Sequence, residues 1–286
     1  MKQIRTTRKR RQWAEPRQAV IKGSPLSYPV PARERYQAAL DKLIERMRKE
    51  YERELGKLLR GLAEDAALSM DANLGSQSRI LLNKLATKWQ SLFSRNASRI
   101  TDRMISQVDT ASKANLGASL KQLSGGLTIK TPDMPAGLQD VISASIAENV
   151  SLIKSVAVQY HDRISSAVLV SIQNGGQGRA TVLEQLREIG GMSERRAKLI
   201  ARDQTSKITT QMNAERAKSV GMRKFQWLHS GGGAEPRKLH QRLDGQIFSY
   251  DDLPVIDERT GERGLPGQLI NCRCQAIPVL DFGDGE

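Results

Sequence analysis

The residues best able to do chemistry lie in the C-terminal third of the chain. They are Arg237-x-x-His240, Asp244-Gly245 and Cys272-x-Cys274. A histidine flanked by Arg and Asp can act as a general base or as a metal ligand. No partner nucleophile stands in a recognisable motif. Ser230 is the nearest serine, and there is no G-x-S-x-G elbow. The two cysteines are expected on a strand, where alternate side chains share one face with a backbone separation of about 6–7 Å. With His240, and with His229 or Asp244 as a fourth ligand, Cys272 and Cys274 can close a structural zinc site. Against this, structural zinc usually takes C-x₂₋₄-C pairs, and a second pair is missing. Two small buried side chains, or a packed Asn271-Cys-Arg-Cys274 turn, account for the same pattern. Two cysteines do not make a disulfide scaffold.

Two other features can meet anions. Ile189-Gly-Gly-Met-Ser-Glu-Arg-Arg-Ala-Lys-Leu-Ile200 reads as a glycine-rich connection between helices, followed by Arg195 and Arg196. It resembles a helix-hairpin-helix DNA motif, whose backbone N–H groups cradle a phosphate. An ordinary capped connection reads the same way. The N-terminal arm carries Arg5, Arg8, Lys9, Arg10, Arg11 and Arg17 among Thr, Gln and Pro, with no helical or strand period. Such an arm either contacts phosphates with counterion release or is simply solvated.

The charge pattern agrees with a polyanion partner. The net charge is +14, but residues 1–60 carry +10, residues 61–226 carry +8 and residues 227–286 carry −4. The surplus therefore belongs to the arm and the middle of the chain, while the segment with His240 and the cysteines is acidic. Aromatics are only 4% of the chain, which argues against a large β-sandwich or a base-stacking RNA binder. The longest apolar run, Ala167–Val170, is far too short for a membrane span. The basic start leads into no apolar h-region, so no secretory signal is expected. Composition points to a soluble intracellular, mainly helical protein.

Helices must position these residues. Tyr36, Leu40, Leu43, Met47, Tyr51, Leu55, Leu58 and Leu62 step by three or four and predict a helix starting near Arg33. Leu85, Trp89, Leu92, Ile100, Met104, Val108 and Ala111 mark a second, over residues 79–123. Leu138 to Val168 mark a third, over 137–173. A short helix over 179–189 should stop at Gly190-Gly191, and another should start at an N-cap Ser193 and run to about Val220. Strands are expected at Lys224–His229, near Gln246–Ser249 and at Cys272–Leu280. The fold class is mainly α with a small α+β C-terminal domain: long amphipathic helices, then helices with short antiparallel strands. The expected organisation is a basic extended arm (1–30), a helical domain (31–176) and the α+β domain (177–286). The proline-rich stretch Pro25–Pro31 closes the arm.

In order and approximate spacing, one set of residues resembles a known family. The set is Ile200-Ala-Arg-Asp-Gln-Thr205, Gly221, Trp227, Pro236-Arg237-x-x-His240, Leu243-Asp-Gly245, Pro266-Gly267 and Ile270-Asn-Cys-Arg-Cys274. It is similar to the phage Mu protein F-like head morphogenesis (minor capsid) family, over about residues 180–280. The motif positions carried over are Arg202, Trp227, Arg237, His240, Asp244, Gly245, Asn271, Cys272, Arg273 and Cys274. The chain departs from the pattern at Arg202-Asp203-Gln204, where many members have Arg-Thr-Glu. The resemblance implies a low-copy component of the virion, inside the phage head and made in the host cytoplasm. Its implied partners are the portal protein, the major capsid or scaffold protein and double-stranded DNA. It implies roles in head assembly, genome packaging and ejection, and no enzyme activity from this domain. Toxin or enzyme domains can be fused beyond it, and with six residues after the last expected strand none is expected here. The competing expectations are a metal-dependent nucleic-acid-processing enzyme built on His240, Arg237 and the cysteines, and a helix-hairpin-helix DNA-binding module.

Overall fold

Proline starts the first helix. Pro29 and Pro31 supply the fixed φ of a first turn and lack the N–H groups that a helix start leaves unpaired. The resulting α1 (Val30–Leu58) buries Tyr36, Leu40, Leu43, Met47, Tyr51 and Leu55, as the stripe predicts. Leu58 is only half-buried, Leu59 takes the inward place, and Leu62 lies outside the described residues. The computed structural model describes residues 20–59, 72–173, 178–231 and 235–280. Helix α2 (Ala72–Leu123) and helix α3 (Ala136–Gln173) follow the predicted registers closely.

The sequence expectation fails at Gly190-Gly191. Helix α4 (Gly178–Ser219) runs through both glycines without a break. Ser193 is no N-cap: it is buried, and its hydroxyl donates to the Ile189 carbonyl 3.1 Å away, one turn back in the same helix. The glycine at 190 serves packing. A Cβ there would stand 2.4 Å from Cδ of Arg48 on α1, so the Arg48 side chain lies in the space that a side chain at 190 would take. The helix-hairpin-helix and its phosphate cradle are therefore absent from this segment.

Helices α1 to α4 pack against one another as a bundle around one apolar core. A buried polar chain crosses it. The Tyr36 hydroxyl donates to Oδ1 of Asn149 (2.9 Å), and Nδ2 of Asn149 donates to the Ser145 carbonyl and to Oε1 of Gln204 (3.0 Å). Nε2 of Gln204 in turn donates to Glu148, which pairs with Lys207 at 2.8 Å. Within α3, Gly137–Ser171 is long and apolar enough to cross a membrane by length and composition. Here it lays one face against α2 and α4, with Ser145 and Asn149 buried on it.

After α4 the chain makes β2 (Lys224–Leu228), α5 (Lys238–Leu243), β3 (Ile247–Ser249), β4 (Val255–Asp257), β5 (Glu262–Arg263) and β6 (Gln275–Leu280). An antiparallel sheet has the order β1-β6-β2-β3, and β4 pairs with β5 separately. Its outer strand, β1 (Ile21–Lys22), comes from the start of the described chain and pairs with Val279 and Leu280. The described part of the N-terminal segment thus belongs to the C-terminal sheet. Leu26 is buried in the second core, and its N–H bonds to the Ala276 carbonyl at 2.9 Å. That second core includes Trp227, Phe225, Cys272 and Cys274, and it reaches the bundle through Ala214 and Ala217 of α4 and Leu116 and Leu120 of α2. The mainly α fold with a small α+β C-terminal part is as the sequence predicts.

Candidate metal centre and motif cluster

The cysteines do not sit on a strand. Strand β6 starts at Gln275, which pairs with Leu228, and Cys272–Cys274 form the irregular turn leading into it. The turn depends on Asn271, whose φ of 62° is the one left-handed backbone among described non-glycine residues. Its N–H donates to Oδ1 of Asp203 on α4 (3.0 Å), and Nε of Arg202 contacts the same oxygen at 3.4 Å. Cys272 N–H bonds back to the Leu269 carbonyl. On the other side, the Tyr28 hydroxyl donates to the Cys274 carbonyl. The turn is thus held from α4 and from the N-terminal segment at once.

His240 comes from α5. With Leu243 it forms the buried face of that single turn and a half. Its Nε2 lies 3.0 Å from the Ile256 carbonyl on β4. A carbonyl only accepts, so Nε2 carries the proton. Nδ1, with its lone pair free, lies 3.4 Å from Sγ of Cys272 and 3.7 Å from Sγ of Cys274. Trp227 of β2 stands edge-on to the imidazole, ring centres 5.2 Å apart.

The remaining motif residues hold this arrangement. Asp244 accepts the His229 N–H at 2.7 Å, tying the end of α5 to the end of β2. Gly245 N–H bonds to the Trp227 carbonyl in the same join. The Arg237 guanidinium donates to the Ile270 carbonyl at 3.0 Å, just ahead of the turn. Arg273 is exposed at the rim. All ten motif positions therefore gather around one point. The six arm cations Arg5, Arg8, Lys9, Arg10, Arg11 and Arg17 lie outside the described residues.

Among the described residues, His240, Cys272 and Cys274 are the group of metal-binding types close enough to share an ion, with ligand atoms all within 4.8 Å of one another and all three buried. His229 and Asp244 are not in it. Asp244 is engaged with the His229 backbone, and His229 Nδ1 accepts the Gly231 N–H at 3.1 Å. Instead the group faces a cleft of about 490 Å³ lined by His229, Ser230, Glu235 and the guanidinium-bearing Arg202, Arg237 and Arg273. Cys272 is held well below the usual thiol range, chiefly by the hydrogen bond from Cys274. The same bond, with burial and the Cys272 charge, pushes Cys274 up. Among the described residues, the Trp227 indole N–H is buried without a hydrogen-bond partner.

Sequence reasoning missed Asp203 and Tyr28 as supports of the turn. They lie 68 and 246 residues from their partners, and neither interaction has a local signal. Asp203 did stand beside a motif residue, inside Arg202-Asp203-Gln204.

Comparison with known proteins follows the same region. The chain is 30% identical over 86% of its length to an uncharacterized protein of Haemophilus influenzae, of which it spans 53%. It is 31% identical over 43% of its length to the NAD(+)–arginine ADP-ribosyltransferase EFV of Enterococcus faecalis, of which the match covers 27%. The chain thus spans about half the length of the first of these relatives and about a quarter of the second. No solved structure matches. Residues 162–277, which hold Asp203, His240, both cysteines and every other motif position, match the family described as phage Mu protein F like protein.

Proposed function

We propose that this protein is a minor capsid, head morphogenesis component of a tailed bacteriophage, resident in the head and working on the portal and the packaged DNA. The observation that carries the reading is the family match over residues 162–277, in which the motif residues form one folded cluster. The portal, the major capsid or scaffold protein and the genome are the partners it implies. Packaging and ejection are the stages at which it acts. The protein is read as a non-enzyme. The transferase activity named for the enterococcal relative belongs to a protein three-quarters of which lies outside the match.

Binding to DNA has a second support in the helical bundle. A groove of about 470 Å³ between α1 and α2 is lined by Arg35, Lys42, Arg46, Arg99 and Arg103, and no carboxylate among the described residues lines it. Among the described residues, Arg35 and Arg99 hydrogen-bond to the neutral Gln107 and Asn96. Parallel rows of cations on two helices suit a phosphate backbone without base reading. The test has two arms. Heads isolated from producing cells should contain the protein, and its absence from them overturns the assembly reading. Purified protein should retard duplex DNA at low salt, with an affinity that falls steeply as salt rises. Arg46→Glu with Arg103→Glu should flatten that salt slope, by about 0.9 for each phosphate no longer neutralised. Retardation unchanged by this double reversal would remove the groove from the interface.

A further inference from the structure

We propose that His240, Cys272 and Cys274 bind a zinc ion whose fourth coordination position opens on the adjoining cleft. The distances are those of a tetrahedral site before its ion is added. Zn–S near 2.3 Å and Zn–N near 2.05 Å at a tetrahedral angle place the ligand atoms about 3.6 Å apart. The two S···Nδ1 separations are 3.4 and 3.7 Å. A hydrogen bond from one thiol to Nδ1 accounts for one of these contacts, since Nδ1 has one lone pair, whereas a shared ion accounts for both sulfurs converging on it.

The tautomer is the second, independent observation. Nε2 of His240 is committed to the Ile256 carbonyl, which is how metal-bound histidines are commonly oriented from behind. That bond turns Nδ1 toward the sulfurs and leaves it unprotonated, as a ligand must be. The surroundings also need a fastening. The elements that bring the three ligands together are a six-residue helix, a three-residue strand and an irregular turn, and little regular structure holds them otherwise. One ion would join α5 to the entrance of β6.

Two thiolates and one imidazole neutralise a divalent ion and select a borderline-soft one. No fourth Cys, His, Asp or Glu reaches the group among the described residues. The cleft on that side carries Arg202, Arg237 and Arg273 against Glu235. A water or a small external anion would therefore complete the tetrahedron.

The experiment uses the full chain, reduced and stripped of metal, titrated with cobalt(II) as a spectroscopic stand-in for zinc. The expected result is saturation at one cobalt per chain, with intense tetrahedral d–d bands and thiolate-to-cobalt charge transfer, both abolished by one equivalent of zinc. Cys272→Ser and Cys274→Ser should each weaken the charge-transfer band by about half or more, one of the two sulfurs having been removed. Absence of thiolate–cobalt absorption in wild-type protein with native circular dichroism overturns the site, and it does not depend on any variant folding. Azide added to the cobalt form should shift the d–d bands. Bands that azide leaves unmoved mean that a protein side chain closes the fourth position, and they overturn the open coordination.

Discussion

Replacing Arg216 with Met should cost about 3 kcal/mol, chiefly because it strands a buried carboxylate. Arg216 is fully buried on α4, and its guanidinium pairs with Asp109 of α2. It also donates to the carbonyls of Pro132 (3.2 Å) and Asp133 (3.3 Å) in the connection between α2 and α3. Those two carbonyls belong to exposed residues and can turn to water, so their loss costs little. Asp109 cannot do so freely, since only 19% of its side chain is exposed. Breaking one partner of a buried pair costs about 3–5 kcal/mol. Lys113, 3.2 Å from the other Asp109 oxygen, holds the value at the lower end. Met retains most of the volume and flexibility of the arginine stem. At about 2–4 °C per kcal/mol the midpoint should fall by about 6–12 °C. Far-ultraviolet circular dichroism and tryptophan fluorescence, followed together in thermal and urea unfolding, measure the loss and test for two-state behaviour. The double variant Arg216→Met/Asp109→Leu should recover to within about 1 kcal/mol of wild type, since no charge is then stranded. A single variant that loses less than about 1 kcal/mol, or a double variant as unstable as the sum of the singles, refutes the reasoning.

Gly267 has φ 89°, and a Cβ there would meet the Tyr28 hydroxyl at 1.9 Å. Gly267→Ala should therefore destabilise by at least about 1–2 kcal/mol from backbone strain alone, and limited proteolysis should cut the 20–29 segment faster. Gln204→Glu should destabilise by about 1–3 kcal/mol, because it sets a carboxylate against Glu148 where Nε2 of Gln204 now donates at 3.0 Å. Adding Glu148→Gln should restore the urea midpoint, and failure to restore it would show that the two side chains are not coupled. Burial holds His161, beside the Tyr51 hydroxyl at 3.3 Å, below its usual pKa. The unfolded chain then takes up the proton first, so this contribution is complete above about pH 6.5 and is lost as pH falls through the lower folded value. His161→Gln should flatten the stability–pH profile between pH 7 and 5, and an unchanged slope would assign the acid loss elsewhere.

Much of the architecture was legible in the sequence, because long amphipathic periods describe themselves. The stripe from Tyr36 to Leu55 has no other good use than a helix face, and α2 and α3 end where their glycine and polar punctuation says. Gly190-Gly191 shows the limit. Locally two glycines read as a break, yet α4 continues, because the close approach of Arg48 on α1 needs the missing side chain and bundle packing outweighs propensity. The same holds for Cys272–Cys274, which read as a strand by alternation but turn because Asp203 holds the Asn271 N–H.

By itself the sequence determined the helical body, the uneven charge and the ordered motif set over about residues 180–280 that resembles the phage Mu protein F-like family, a region that the family match at residues 162–277 overlaps. It also named His240, Cys272 and Cys274 as the residues able to share a ligand. Only the tertiary structure decided that they meet. A residue's type and its neighbours in sequence set its local preference, but a metal-sized triangle requires three backbones in register. That register comes from partners far along the chain: Asp203, Ile256 and Tyr28. The same structure gave the N-terminal segment its place as an outer strand beside β6, since an unpaired strand edge is satisfied by whatever backbone the fold brings to it.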